Sequence, residues 1–239
     1  MSNFNKLTAD VNNNFGVSYD YGSDMHYAAY DFTSNGQPTI VGHDAGFLNT
    51  MGSRRVLTFS DFKMLNLLYN CSQTCPSQIE CKNSGFQNPK NCGSCVCPPL
   101  FSGAQCENEA LTIDLRDSSV TGVTDYKVEY NKTLYTSGNN NNWAMFHKDF
   151  PKIIRAPVGK KILVNFTNFL SAYGQLNCYA GCPLTGVEIV DGDLTTTGKL
   201  FCCTSDIGKT FVSKTNVIGY RAFASPGMPF ESSVKYTIV

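Results

Sequence analysis

Seven of the chain's eleven cysteines fall between Cys71 and Cys106, and the other four fall between Cys178 and Cys203. That density is a disulfide framework, and it restricts the first cluster to a small, loop-rich unit stabilised more by bridges than by a core. Zinc binding is the competing use of clustered cysteines, but the C-x-x-C at Cys92 and Cys95 has no second pair at zinc-ribbon spacing. Disulfides persist in oxidising compartments, so the chain is expected to be secreted. The polar start Met1-Ser2-Asn3-Phe4-Asn5-Lys6 is not a secretory signal. Together with the odd cysteine, it leads us to expect a natural product that extends upstream of Met1.

Nineteen basic and nineteen acidic residues leave no formal net charge. Neither sign forms a long block, which excludes an electrostatic footprint for nucleic acid or for an anionic membrane surface. No apolar run approaches the roughly 18 residues of a spanning helix. Short asparagine runs at Asn12 to Asn14 and Asn139 to Asn142 read as surface loops.

Three segments follow from the change of pattern along the chain. Residues 1–71 close on a predicted helix, with Thr58 as N-cap, Asp61 three positions on, and Phe62, Leu65, Leu68 and Tyr69 at helical spacing. Residues 72–107 hold the spacing C-x5-C-x10-C-x2-C-x-C-x8-C, with Gly85, Pro98, Pro99 and Gly103 at turn positions. Across residues 108–239 the period drops to two. Tyr126, Val128 and Tyr130, then Ile162, Val164 and Phe166, then Val234, Tyr236 and Ile238 alternate with polar residues. Gly138, Pro151, Pro157-Val158-Gly159, Asp191-Gly192 and Pro226-Gly227 punctuate these strands, which predicts an antiparallel sandwich.

The segment Tyr19-Asp20-Tyr21-Gly22-Ser23-Asp24-Met25-His26-Tyr27 closely resembles the methionine turn of the astacin family of zinc endopeptidases, and Met51-Gly52-Ser53-Arg54-Arg55 with the helix ending at Cys71 resembles that family's closing helix. The cysteine spacing of residues 72–107 resembles an EGF-like module. The phrases Arg155 to Ile162 and Gly186-Val187-Glu188-Ile189 resemble a CUB domain of the nematode-type astacins. The stretch before Cys178 offers no cysteine for the early bridge common in that domain. The fold expected is therefore an α+β C-terminal lobe of a metzincin catalytic domain, a small disulfide-rich EGF-like module and an all-β CUB-type sandwich. The EGF-like resemblance implies bridges Cys75 to Cys92, Cys81 to Cys95 and Cys97 to Cys106. Cys178, Cys182, Cys202 and Cys203 are expected to form two bridges in an open pairing. The family partner of Cys71 lies upstream of the zinc helix, which accounts for the odd cysteine.

Peptide hydrolysis by such an enzyme needs a cation with about three protein ligands, an open position for water, and a base. In astacins the histidines and the base come from H-E-x-x-H-x-x-G-x-x-H, and no H-E-x-x-H occurs in this sequence. His26, His43 and His147 are its only histidines, and they are never spaced i, i+4 on a predicted helix. By resemblance Tyr27 is the catalytic candidate, an additional zinc ligand whose phenol then bonds the developing oxyanion. That role is conditional on a zinc helix in the same chain. Ser23 and Met25 are structural residues of the turn, Met25 as an apolar floor and not a ligand. Zinc is the cofactor of the complete family member, and this chain alone is expected to hold none. Glu129, Asp191 and Asp193 read as solvated surface acids, so no calcium is expected.

Asn70-Cys71-Ser72, Asn131-Lys132-Thr133 and Asn165-Phe166-Thr167 fit the N-glycosylation sequon, and Asn131 and Asn165 are its candidates. Two functions follow as expectations. One is a portion of a secreted zinc metalloendopeptidase acting on protein or peptide substrates and inactive as this chain alone. The alternative is a non-catalytic extracellular protein that makes protein contacts through its EGF-like and CUB modules.

Overall fold

Alternating apolar residues leave one face of a sheet in need of a covering layer, and in the C-terminal half of the chain two sheets cover each other. The computed structural model describes residues 5–53, 57–115, 122–128, 148–171, 178, 181–224 and 230–239. The sequon at Asn131, His147, Glu129, Tyr130, Arg54-Arg55, Asn139 to Asn142 and the turn signals at Gly138 and Pro226-Gly227 lie outside the described residues.

One sheet has the order β10-β9-β12-β7-β5, made of Lys199–Phe201, Thr185–Asp191, Val217–Ala224, Lys148–Arg155 and Leu111–Asp114. The facing sheet has the order β11-β8-β13-β6, made of Thr210–Val212, Ile162–Ser171, Phe230–Ile238 and Gly122–Val128. All pairings are antiparallel except β5 with β7, which is parallel. Ile162, Val164 and Phe166 from β8 and Val234, Tyr236 and Ile238 from β13 meet Val187, Ile189, Ile218 and Tyr220 in one apolar core. The Phe166 ring stacks on Phe201 at 5.5 Å.

Phe166 and Phe169 are three residues apart, yet both are buried in this core. An odd spacing puts strand residues on opposite faces unless one residue is skipped. The register does skip one: Ser233 faces Asn168 and Val234 faces Phe166, so Thr167 opposes nothing. Its hydroxyl donates to the Ser233 carbonyl at 3.0 Å.

Strand β9 is buried along its whole length. Its outer face is covered by a second apolar cluster of Leu100, Ile153 and Val190, with Phe101, Ala110, Leu194 and Val217 packed against it. Leu100 belongs to the disulfide-rich segment, which therefore sits against the sandwich. A Cβ added at Gly219 would lie 2.2 Å from Leu100 Cδ1, so the glycine leaves open the space that this side chain fills. Glu188, fully buried on that outer face, is matched by Arg221 directly across the β9–β12 ladder at 2.9 Å. Its other oxygen accepts the Gly198 N–H at 2.8 Å. Asp191, expected at the solvated surface, is instead buried at the strand end, where its Oδ1 accepts the Lys214 N–H at 2.7 Å.

Bridges join Cys75 to Cys92, Cys81 to Cys95 and Cys97 to Cys106, which is a first-to-third, second-to-fourth, fifth-to-sixth order. Two short ladders accompany them, β1 (Phe86–Gln87) with β2 (Cys95–Val96) and β3 (Phe101–Ser102) with β4 (Asn108–Glu109). In the sandwich the open pairing resolves as Cys178 to Cys203 and Cys182 to Cys202.

The first segment differs from the α+β lobe expected of it. Among its described residues there are one helix, α1 (Phe59–Leu68), and short 3-10 turns, with no strand. Its acids and hydroxyls bond neighbouring backbone, as Asp31 does to the Ala28 N–H and Thr39 to the Asp31 carbonyl, and such local bonds favour turns over ladders.

Candidate functional site

Helix α1 begins with a complete capping box. The Thr58 hydroxyl accepts the Asp61 N–H at 3.2 Å, and the Asp61 carboxylate accepts the Thr58 N–H at 3.0 Å. The same carboxylate reaches into the methionine turn, where Oδ1 accepts the Ser23 hydroxyl at 2.6 Å and Oδ2 the Asp24 N–H at 3.1 Å. Burial pushes the Asp61 carboxyl up, but the hydrogen bonds from Ser23, Thr58 and Asp24 outweigh it and hold the group below its usual range. The turn is thus pinned to the helix start by one carboxylate.

Within the turn, Ser23 Oγ also accepts the Met25 N–H at 3.2 Å, and the His26 N–H donates to the Ser23 carbonyl at 3.0 Å. The His26 ring is held at both nitrogens. Nδ1 lies 2.6 Å from the Tyr27 carbonyl, which can only accept, so Nδ1 carries the hydrogen. In the neutral ring Nε2 then accepts the Tyr19 hydroxyl, also at 2.6 Å. Tyr21 stacks on Phe47 at 4.5 Å beneath this arrangement.

The two side chains that matter most to the expected chemistry project outward. Met25 is 83% exposed and Tyr27 is 54% exposed, with the Tyr27 ring edge-on to Phe32 at 5.5 Å. A hollow of about 350 Å³ opens between turn and helix, lined by Tyr19, Met25, His26, Ser60, Asp61 and Met64 among others. On α1, Phe62, Leu65 and Leu68 are 45 to 55% exposed and Tyr69, just past its end, is 73% exposed, while Ser60 is buried. The hollow is therefore open to solvent, and Met25 and the apolar side chains of α1 around it face outward.

Sequence reasoning placed Ser23, Met25 and Tyr27 in this turn and Asp61 at the helix cap. It missed that Asp61 joins the two, and it missed Asp20, a 7% exposed carboxylate whose Oδ1 accepts the Gly22 N–H. A carboxyl two residues before a glycine is an Asx-turn signal that was available for the second. Nothing local signals the first, because the partners are separated by 38 and 37 positions.

Residues 1–70 match the family model for astacin, a peptidase family. Among curated proteins, zinc metalloproteinase nas-32 of Caenorhabditis elegans is 39% identical over 84% of this chain and 30% of its own length. Zinc metalloproteinase nas-23 of the same organism is 32% identical over 90% of this chain and 39% of its own length. The chain thus spans well under half the length of these relatives. Among solved structures, the CUB1-EGF-CUB2 domain of human MASP-1/3 aligns with 67% of this chain and 55% of that chain at 15% identity, with a TM-score of 0.35, too low to carry an inference.

Zinc, named in those relatives, does not fit the residues present. His43 is exposed, both His26 nitrogens are engaged as described, and His147 lies outside the described residues. Among the described residues no three His, Cys, Asp or Glu side chains converge on a point that a metal ion could share. Cys71 is the free cysteine among them. The turn and its anchoring helix nonetheless both lie inside the stretch matched by that model, and over residues 1–70 the chain belongs to the astacin family of peptidases.

Proposed function

We propose that this chain is the C-terminal portion of a secreted astacin-type zinc metalloendopeptidase acting on protein or peptide substrates. In this reading residues 1–71 are the lower part of the catalytic domain, residues 72–107 an EGF-like module and residues 108–239 a CUB-like module. The observation that carries the reading is Ser23-Asp24-Met25-His26-Tyr27, pinned to α1 through Asp61 inside the stretch matched by the family model. The bridge order of residues 75–106 and the two-sheet architecture beyond them support the module assignments. Tyr27 is the residue of this chain assigned to face the metal, on condition that a zinc helix supplies the other ligands. Ser23 and Met25 shape the turn.

Asn131 and Asn165 remain the proposed glycosylation sites. Asn165 lies on β8 between β11 and β13, and its Oδ1 is buried without a hydrogen-bond partner, so Asn131 is the stronger of the two.

The coding sequence upstream of Met1 tests the proposal. An in-frame H-E-x-x-H-x-x-G-x-x-H supports the enzyme, while a stop codon or a signal peptide joined directly to Asn3 supports a non-catalytic extracellular binding protein. The 239-residue chain itself is expected to bind no stoichiometric zinc and to leave peptides intact. Chelator-sensitive cleavage by this chain would overturn the claim that its own residues lack the site.

A further inference from the structure

The methionine turn is fixed from two sides. The first is α1, through Asp61. The second is the sandwich. Asp20 Oδ1 accepts the Gly22 N–H at 2.9 Å and also the Thr197 N–H at 3.1 Å. Thr197 lies in the loop of residues 192–198 that joins β9 to β10. The Asp20 carbonyl accepts the Ser23 N–H at 3.2 Å, so any shift of Asp20 moves both residues that lead into Asp24-Met25.

Three further contacts surround this pin. The Ser18 hydroxyl donates to Asp193 Oδ2 at 2.6 Å. Thr50, fully buried, donates to the Gly198 carbonyl at 2.9 Å and accepts the Leu200 N–H at 3.3 Å, continuing the hydrogen bonding of β10 into the first segment. The buried Lys199 ammonium lies 2.8 Å from Asp44 and 4.2 Å from the centroid of the Phe211 ring. Asp44 caps the short turn that carries Phe47, the ring stacked on Tyr21.

The two surfaces are at contact distance. A Cβ at Gly22 would lie 2.4 Å from Thr197 Cγ2, and one at Gly181 would lie 2.5 Å from the Ser53 Cα. Such spacing leaves no room for the segment to slide on the sandwich. A buried carboxylate is retained only where donors compensate its lost hydration. Asp20 Oδ2 has no hydrogen-bond partner, so the compensation rests on the two N–H groups at Oδ1, one of which belongs to the sandwich.

We propose that the β9–β10 loop is a docking surface for the methionine turn and that Asp20 is the positioning residue that couples them. The sandwich, in addition to whatever it binds, sets the backbone of a turn whose anchor lies 177 positions before Thr197 in the sequence. This inference holds whether or not the chain cleaves peptides, and its test therefore reads backbone protection and not activity.

Amide hydrogen exchange on the 239-residue chain decides it. Thr197→Pro removes the sandwich's donor and leaves the first segment's residues intact; exchange across Gly22 to Tyr27 is expected to quicken roughly tenfold or more, as for loss of a charge-assisted hydrogen bond. Lys199→Met, which acts through Asp44, Phe47 and Tyr21, is expected to quicken the same amides severalfold with β12 unchanged. Asp20→Ala is expected to match Thr197→Pro. If both sandwich-side variants leave those amides at their original rates while β12 stays protected, Asp20 is a local turn residue and the proposal is wrong. If one of Thr197→Pro and Asp20→Ala fails to fold, the other decides; if both fail, Asp20→Asn, which keeps the Oδ1 acceptor without the charge, is expected to quicken the same amides severalfold, and unchanged rates with β12 protected overturn the proposal.

Discussion

The sandwich and the first segment contain similar kinds of residues but are held by different forces. In the sandwich, Phe166, Ile189, Ile218, Val234 and their neighbours are nearly inaccessible. In the first segment only Ala29, Phe47 and Met51 among the described apolar side chains reach that state, while Met25, Phe32, Leu68 and Tyr69 stand more than half exposed. There, carboxylates do the holding: Asp20, Asp31, Asp44 and Asp61 each bond to backbone N–H groups. A unit closed by apolar burial carries its own stability, whereas one closed by polar pins depends on what it is pinned to.

The largest test of this contrast is Phe166→Ala. Removing a buried ring that stacks on Phe201 costs about 3–5 kcal/mol, read as a shift in the denaturant midpoint of the sandwich. The expected companion result is that exchange in the first segment also rises, because its anchor is weakened. A sandwich that loses this much while the methionine turn stays protected would show that the two regions are independent.

Next in size is the disulfide-rich segment between them. Replacing Cys75 and Cys92 by serine opens a loop closed over 17 positions, expected to cost about 3 kcal/mol. Protection is expected to fall across residues 75–106 while β8, β12 and β13 keep theirs. Loss of protection in β12 as well would mean that the Leu100 contact on Gly219 supports the sheet, which would sharpen the comparison by adding a third coupled region.

How much of this contrast was legible depends on how far each interaction reaches. The period-two runs on β8 and β13, the Thr58–Asp61 cap and the turn residues were readable, because each is set by neighbours a few positions apart. The burial of β9 on both faces was not, since Leu100, far upstream in the disulfide-rich segment, covers it. The bulge at Thr167 was hidden for a related reason: Phe166 and Phe169 break the alternation, and only the pairing with Ser233 and Val234 explains them. At the candidate site the residues of the turn were readable as a motif. What holds them, Asp61 across to Ser23 and Asp20 across to Thr197, joins segments with no shared local pattern.

Acid separates the two regions more gently. For Asp44, Asp61 and Asp193, burial raises the carboxyl, but hydrogen bonds outweigh it and the folded groups sit below the ordinary 3.8. Asp44 takes its bonds from Lys199 and Gly46, and Asp193 from Ser18 and Thr195. A depressed carboxyl stabilises the fold at pH values above its unfolded value, and that contribution is lost as pH falls through the lower folded value. The first segment is therefore expected to lose exchange protection as pH drops below 3.8, before the sandwich strands do. Asp61→Ala at neutral pH is expected to reproduce part of that loss, about 1–3 kcal/mol for hydrogen bonds to a charged group, with the change concentrated at Ser23, Asp24 and the start of α1. Sandwich strands that open at the same pH as the turn would defeat the distinction between polar pins and apolar closure.

The smallest expected effect is the most diagnostic of what the exposed face is for. Phe62 and Leu65 on α1 are 45 and 47% exposed, so Phe62→Ser and Leu65→Ser in this chain are expected to change stability by no more than about 0.5 kcal/mol. Burying a side chain of this size is worth about 1.5–3 kcal/mol. The same pair of substitutions, made in a longer protein that adds a zinc-binding lobe, is then expected to cost several times more, because the helix face becomes an interior. An equal and negligible cost in both settings would mean that the face remains open, and that the first segment owes its order to Asp61, to Asp20 and to the sandwich instead of to a covering lobe.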